Sequence, residues 1–163
     1  AVKGQAVTLS ETDNISFDID ELVKRVDILM KHELKNALIY MNVQMNAPKS
    51  TKIHGDINSL VQVINNMISN AIQAYNGKTE QNIDLILNKV DSNLVISIKD
   101  YGCGLPQKVK EKLFKEMITT KGKNGTGLGL YMSYSTIKAH FNGNITFESE
   151  EGKGTTFNII LPL

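Results

Sequence analysis

The stretch from Ile83 to Pro106 constrains the fold more than any other. Ile83, Leu85 and Leu87 recur at every second position, and after the turn residues "DSN" so do Leu94, Ile96 and Ile98. A period of two puts those side chains on one face of a pleated strand. The pair therefore reads as a hairpin with one buried face, which needs a second layer to cover it. Its second strand runs into "DYGCGLP" (100–106), a glycine loop opened by the carboxylate of Asp100. Pro106 suits the first turn of a short helix reaching about Phe114.

The rest of the chain supplies that second layer. "NISFDI" (14–19) reads as a short strand. Asp18 and Asp20 are N-cap types, and Leu22, Val26, Leu29 and Met30 have helical spacing, giving a helix that ends near His32 to Lys35. The period then changes, because Ile39, Met41, Val43 and Met45 alternate as a half-buried strand. "APKSTKIHGD" (47–56) reads as a turn-rich connection. Asp56 caps a helix to about Tyr75 whose apolar face is Leu60, Val63, Ile64, Met67, Ile68, Ala71, Ile72 and Tyr75. Asn76-Gly77 stops it. "ITTKGKNGTGLG" (118–129) is expected to be a loop, followed by a helix from about Leu128 to Phe141. Two strands close the chain, around Ile145, Phe147 and Ser149 and around Phe157, Ile159 and Leu161, joined by the turn "EEGKGT". There is no internal repeat. The expected fold is an α/β two-layer sandwich: a mixed, mostly antiparallel sheet covered on one face by about three helices. The domain spans 14–163, with 1–13 as linker or tail.

With 163 residues, 41% hydrophobic and 21% charged, the chain can bury a core of ordinary size. A formal charge of +1 argues against nucleic acid or a membrane surface as main partner, since both need a concentrated basic face. One cysteine forms no internal disulfide, which suggests a reducing compartment, and a cytoplasmic location is expected. No secretory pattern opens the chain. The first residue is Ala1 rather than Met, which suggests a fragment or a processed product of a longer protein.

Four motifs can carry chemistry. Asn66 and Asn70 share one stripe of their helix, apart from its apolar face. Such a pair is either a solvated face or a set of neutral oxygen ligands for a hard cation such as Mg²⁺, which completes its shell with phosphates and water. Asp100 beside Gly102 and Gly104 is either a tight turn or a carboxylate placed to accept from an exocyclic amine. Gly125, Gly127 and Gly129 precede a helix, so free N–H groups there can meet an anion; the spacing is neither that of a Walker loop nor of a dinucleotide loop. "GKGTTF" (152–157) alone is a hairpin turn.

Together, Asn-x-x-x-Asn, Asp-x-Gly-x-Gly, Gly-Thr-Gly-Leu-Gly-Leu and Gly-x-Gly-Thr-x-Phe, in that order, resemble the ATP-binding catalytic domain of sensor histidine kinases. That is one branch of the superfamily that includes gyrase, Hsp90 and MutL. The resemblance implies a Bergerat-type fold, ATP with Mg²⁺, and residue roles. Asn70 would ligate the ion, and Asn66 would lie near the phosphates as the catalytic position. Asp100 would accept from the adenine amino group, and Gly102 and Gly104 would let adenine and ribose sit close. The segment with Lys121, Gly125, Thr126, Gly127, Leu128 and Gly129 would wrap the phosphates as a mobile lid, Lys121 reaching the γ-phosphate. Thr155 would sit near adenine. Phe114 falls at the family's phenylalanine box; Met117 and Ile118 depart from it, Tyr101 stands where Asn is frequent, and Cys103 is expected to be inert.

Hydrolytic relatives carry Glu at the position of Asn66, and an amide takes up no proton at neutral pH. The resemblance therefore implies transfer of the γ-phosphoryl group to a protein, with a dimerisation/phosphoacceptor domain and a response regulator as partners. The alternatives are a serine kinase of the anti-sigma-factor type, a gyrase-like ATPase and a non-catalytic nucleotide-binding scaffold. "HELKNAL", from His32, matches the phosphoacceptor pattern. The strand pattern over 37–45 leaves no room for the second long helix such a unit needs, so His32 is expected to be a decoy at a helix end, with the acceptor before residue 1.

Overall fold

Asp18 opens the first helix. Its carboxylate accepts the N–H of Glu21 at 2.8 Å, which supplies one of the bonds the first turn lacks. The computed structural model describes residues 15–118 and 126–163, so the expected tail lies outside them. Strand β1 (Ser16–Asp18) leads into helix α1 (Ile19–Ala37), which buries Leu22, Val26, Met30 and Leu34 at intervals of one turn. α1 runs past the expected stop at Lys35. It ends where Leu38 turns left-handed, at φ 55°, and sends its N–H to the carbonyls of Leu34 and Lys35. A leucine in that conformation gives no sequence signal, because the cap normally falls to Gly or Asn. His32 thus lies inside the helix, and of the basic residues only Lys35 is in the last turn, so the helix dipole does not explain it.

The expected strand follows as β2 (Ile39–Met45). The connection after it holds a strand the sequence did not reveal, β3 (Lys52–His54), antiparallel to β1 with Phe17 opposite Ile53. A single apolar residue between polar neighbours shows no period, yet Phe17 and Ile53 are both buried. Asp56 caps helix α2 (Ile57–Gln73) through the N–H of Asn58 at 3.3 Å. Ile57, Leu60, Val61, Val63, Ile64, Met67, Ile68 and Ala71 are its buried face.

Strands β4 (Gln81–Val90) and β5 (Asn93–Asp100) form the hairpin. Helix α3 (Gln107–Ile118) runs beyond Phe114, and helix α4 (Thr126–Phe141) starts before Leu128. Strands β6 (Asn144–Glu150) and β7 (Gly154–Pro162) close the chain. The main sheet has the order β2-β4-β5-β7-β6; β2 runs parallel to β4 and the other neighbours are antiparallel. α1, α2 and α4 pack on the sheet, and α3 packs on α4. Ile83, Leu85, Leu87, Leu94, Ile96, Ile98, Ile159 and Leu161 meet the helices in one core.

Candidate functional site

The core alternation of two central strands ends in polar groups. Along β5, Leu94, Ile96 and Ile98 are buried, and the next position on that face is Asp100, only 4% exposed. Along β7 the same face carries Leu161, Ile159, Phe157 and then Thr155, 5% exposed. The register pairs Ile98 with Phe157, so Asp100 and Thr155 end neighbouring strands side by side. Residues that would be apolar by period are instead a carboxylate and a hydroxyl, a costly placement in the absence of partners.

The partners are backbone groups. Oδ1 of Asp100 accepts the N–H of Gly102 at 2.9 Å and that of Thr155 at 3.3 Å. Oδ2 has no hydrogen bond among the described residues. Burial holds the carboxyl above the usual carboxylate range, and the two N–H groups pull it part of the way back. Asp100 lines a cavity of about 240 Å³ with Asn70, Gln73, Asn76, Cys103, Gly104 and Thr155 as polar or small neighbours. Leu105, Val109, Leu113, Leu130 and Phe157 supply its apolar wall. An apolar slot with one buried, half-engaged carboxylate suits a flat heterocycle that carries an N–H donor.

The glycines are dictated by protein packing. A Cβ on Gly102 would lie 2.6 Å from the carbonyl oxygen of Ala74, at the end of α2, and the N–H of Cys103 bonds that same oxygen. At Gly104, φ is +69° and a Cβ would lie 2.1 Å from the carbonyl oxygen of Glu150. The loop is thereby clamped between α2 and the β6–β7 turn. Ser149, which sequence reasoning passed over, completes the clamp. Its hydroxyl accepts the N–H of Leu105 at 2.8 Å and lies 2.8 Å from Oγ1 of Thr155. A serine in an alternating strand gives no signal of this. Tyr75 was legible only as the end of an apolar face, although a buried phenol needs a partner for its hydroxyl.

Of the expected site residues, Asn70, Asp100, Gly104 and Thr155 line one cavity, and Gly102 adjoins it through the loop. Asn66 is exposed on α2 and is not in the lining. Thr126 and Gly127, expected in the loop before the helix, fall with Leu128 and Gly129 in the first turn of α4; the first turn of a helix leaves its N–H groups unpaired whether or not glycine supplies them. Lys121 and Gly125 lie outside the described residues. Cys103 is a free, exposed thiol at the cavity. Among the described residues, no group of three His, Cys, Asp or Glu side chains could hold a metal. The exposed Asn70 amide fits a hard cation that takes most of its ligands from phosphates and water.

A family model described as histidine kinase-, DNA gyrase B- and HSP90-like ATPase matches residues 55–163. The chain belongs to this family. Within this ATPase family, its similarity is to sensor kinases. It is 35% identical over 162 residues to sporulation kinase C of Bacillus subtilis, covering 99% of this chain and 36% of that protein. It is 40% identical over 111 residues to the signal transduction histidine-protein kinase AtoS of Escherichia coli, covering 68% of this chain and 18% of that one. The chain thus spans about a third or less of these curated relatives. Its fold matches the nucleotide-free catalytic domain of the histidine kinase ThkA with TM-score 0.75 at 26% identity, over 91% of this chain and 96% of that one. The four-motif resemblance read from the sequence and the sandwich fold are those of this family.

Proposed function

We propose that this chain is the nucleotide-binding, phosphoryl-donating domain of a sensor histidine kinase. The observation that carries the reading is the unengaged Oδ2 of Asp100 at an apolar cavity. Adenine would lie against Leu105, Val109, Leu113 and Phe157, with its amino group donating to Asp100 and Thr155 beside it. Asn70 would hold Mg²⁺, which supplies charge neutralisation on the phosphates. Asn66 stands one turn before Asn70, and its amide accepts no proton, so no base on α2 activates water. The γ-phosphoryl group is then kept for a protein acceptor, which the similarity to sensor histidine kinases makes an imidazole: a nitrogen–phosphorus bond forms, the bond to the β-phosphate oxygen breaks, ADP leaves with that electron pair, and the proton on the other ring nitrogen passes to solvent. The N–H groups at the start of α4 suit the phosphate chain; Lys121 and Gly125 would extend that contact. A dimerisation domain carrying the acceptor and a response regulator are the partners.

His32 is exposed on α1, its Nε2 3.1 Å from Nδ2 of Asn36. The chain after α1 is strand β2, not a second long helix. Acid-labile label from γ-labelled ATP, followed in the full-length kinase, tests the assignment. Labelling is expected to persist in His32→Gln. Its loss in that variant, with the protein folded, would place the acceptor inside this chain.

A further inference from the structure

Beside Asp100 a side chain interrupts the sheet ladder. β4 and β5 pair in register from Val90 with Asn93 to Ile83 with Asp100, so the next pair would be Asn82 with Tyr101. There the hydroxyl of Tyr75 stands between the strands. It accepts the N–H of Tyr101 at 2.8 Å and donates to the carbonyl of Asn82. Tyr75 is 2% exposed, so its ring is fixed in the core and the hydroxyl cannot swing away. The phenol satisfies two backbone groups that would otherwise bond each other, and it holds them apart. β5 ends at Asp100 for this reason.

Tyr101 is pinned a second time through its side chain. Its hydroxyl donates to the buried carboxylate of Asp84, whose other oxygen takes the Nδ2 of Asn42 at 3.4 Å. That bond to Asp84, above all, pushes the Tyr101 phenol up to about 12. Tyr101 links Asp100 to Gly102, and the Gly102 N–H is one of the two donors on Oδ1 of Asp100. Where Tyr101 is held therefore decides where that N–H points, and so which carboxylate oxygen faces the cavity. Neither tyrosine lines the cavity, so neither touches what binds there.

We propose that Tyr75 is a positioning residue for base recognition: by splicing its hydroxyl between Tyr101 and Asn82 it aims Oδ2 of Asp100 at the cavity, and thereby sets preference for a 6-amino over a 6-oxo purine. This rests on the reading of the cavity as an adenine site. Without the hydroxyl, Tyr101 and Asn82 can bond directly, which draws the chain toward β4 and takes the Gly102 N–H off Asp100. A carboxylate accepts from the adenine amine and repels the carbonyl oxygen of hypoxanthine, so the ratio of ADP to IDP affinity reports its aim.

The test is calorimetric titration of ADP and of IDP, each with magnesium, into the native chain, Tyr75→Phe and Tyr101→Phe. Native protein is expected to prefer ADP. Tyr75→Phe is expected to lose about tenfold in ADP affinity, the scale of one lost charge-assisted hydrogen bond, with IDP little changed. Tyr101→Phe, at a half-exposed site outside the core and still offering its N–H to Tyr75, is expected to narrow the ratio by a smaller factor. The proposal is overturned if both variants keep the native ratio, or if Tyr75→Phe weakens ADP and IDP equally, as a purely structural role would. A native chain that binds neither nucleotide would instead remove the adenine reading itself.

Discussion

At Asp100 the proposed site asks for a charge that burial disfavours. Its folded-state pKa is raised above the unfolded value, chiefly by burial. Protonation therefore favours the fold: the stabilisation is fully present below the unfolded value and is lost as pH rises through the folded one. Above that folded value the native chain carries a charge that burial disfavours. Asp100→Asn keeps an acceptor for Gly102 and Thr155 but puts an NH₂ where Oδ2 stood. The variant is expected to melt at or above the native temperature at pH 7, and the difference to shrink as pH falls toward the carboxylate range. Melting curves at several pH values check this; a variant clearly less stable at pH 7 would contradict it. Asp100 was legible because period and loop chemistry agree on it. Ser149 and Tyr101 were not, since their roles depend on partners 44 and 17 residues away in the chain.

At the scale of elements, caps and clamps do most of the positioning. Removing the N-cap of α1 by Asp18→Ala is expected to cost about 1 kcal/mol, read as a lower urea midpoint at unchanged slope. Gly104→Ala forces a left-handed backbone on alanine and sets its Cβ against the Glu150 carbonyl. It is expected to cost more than the cap, about 2 kcal/mol or above. Gly77→Ala is the comparison, with positive φ but no heavy atom within 4 Å of the added Cβ, and is expected to cost about 1 kcal/mol. Equal losses for the two glycine variants would mean that the loop is not clamped. Helices α1 and α2 and the hairpin were legible from long periodic runs and Asp caps. β3 and the true end of α1 were not. One has a single apolar residue, and the other ends on a leucine in a conformation that sequence assigns to glycine.

For the whole molecule, one sheet face meets the helices, and the open end of that core forms the candidate site. The sandwich was legible because strand and helix periods follow one another in order. The cavity was not, because its apolar wall joins α3, α4 and β7, and no local pattern reports how α3 leans on α4. Because Asn66 offers no base, slow ATP turnover is expected from the chain alone; rapid, steady phosphate release would point to a hydrolytic enzyme instead. The most direct measurement of the central claim is calorimetric titration of a non-hydrolysable ATP analogue, with Mg²⁺, into the native chain and into Asp100→Asn. Binding by the native chain that largely disappears in the variant is expected. No binding by folded native protein would contradict the donor assignment, and equal binding by both would contradict the place given to adenine.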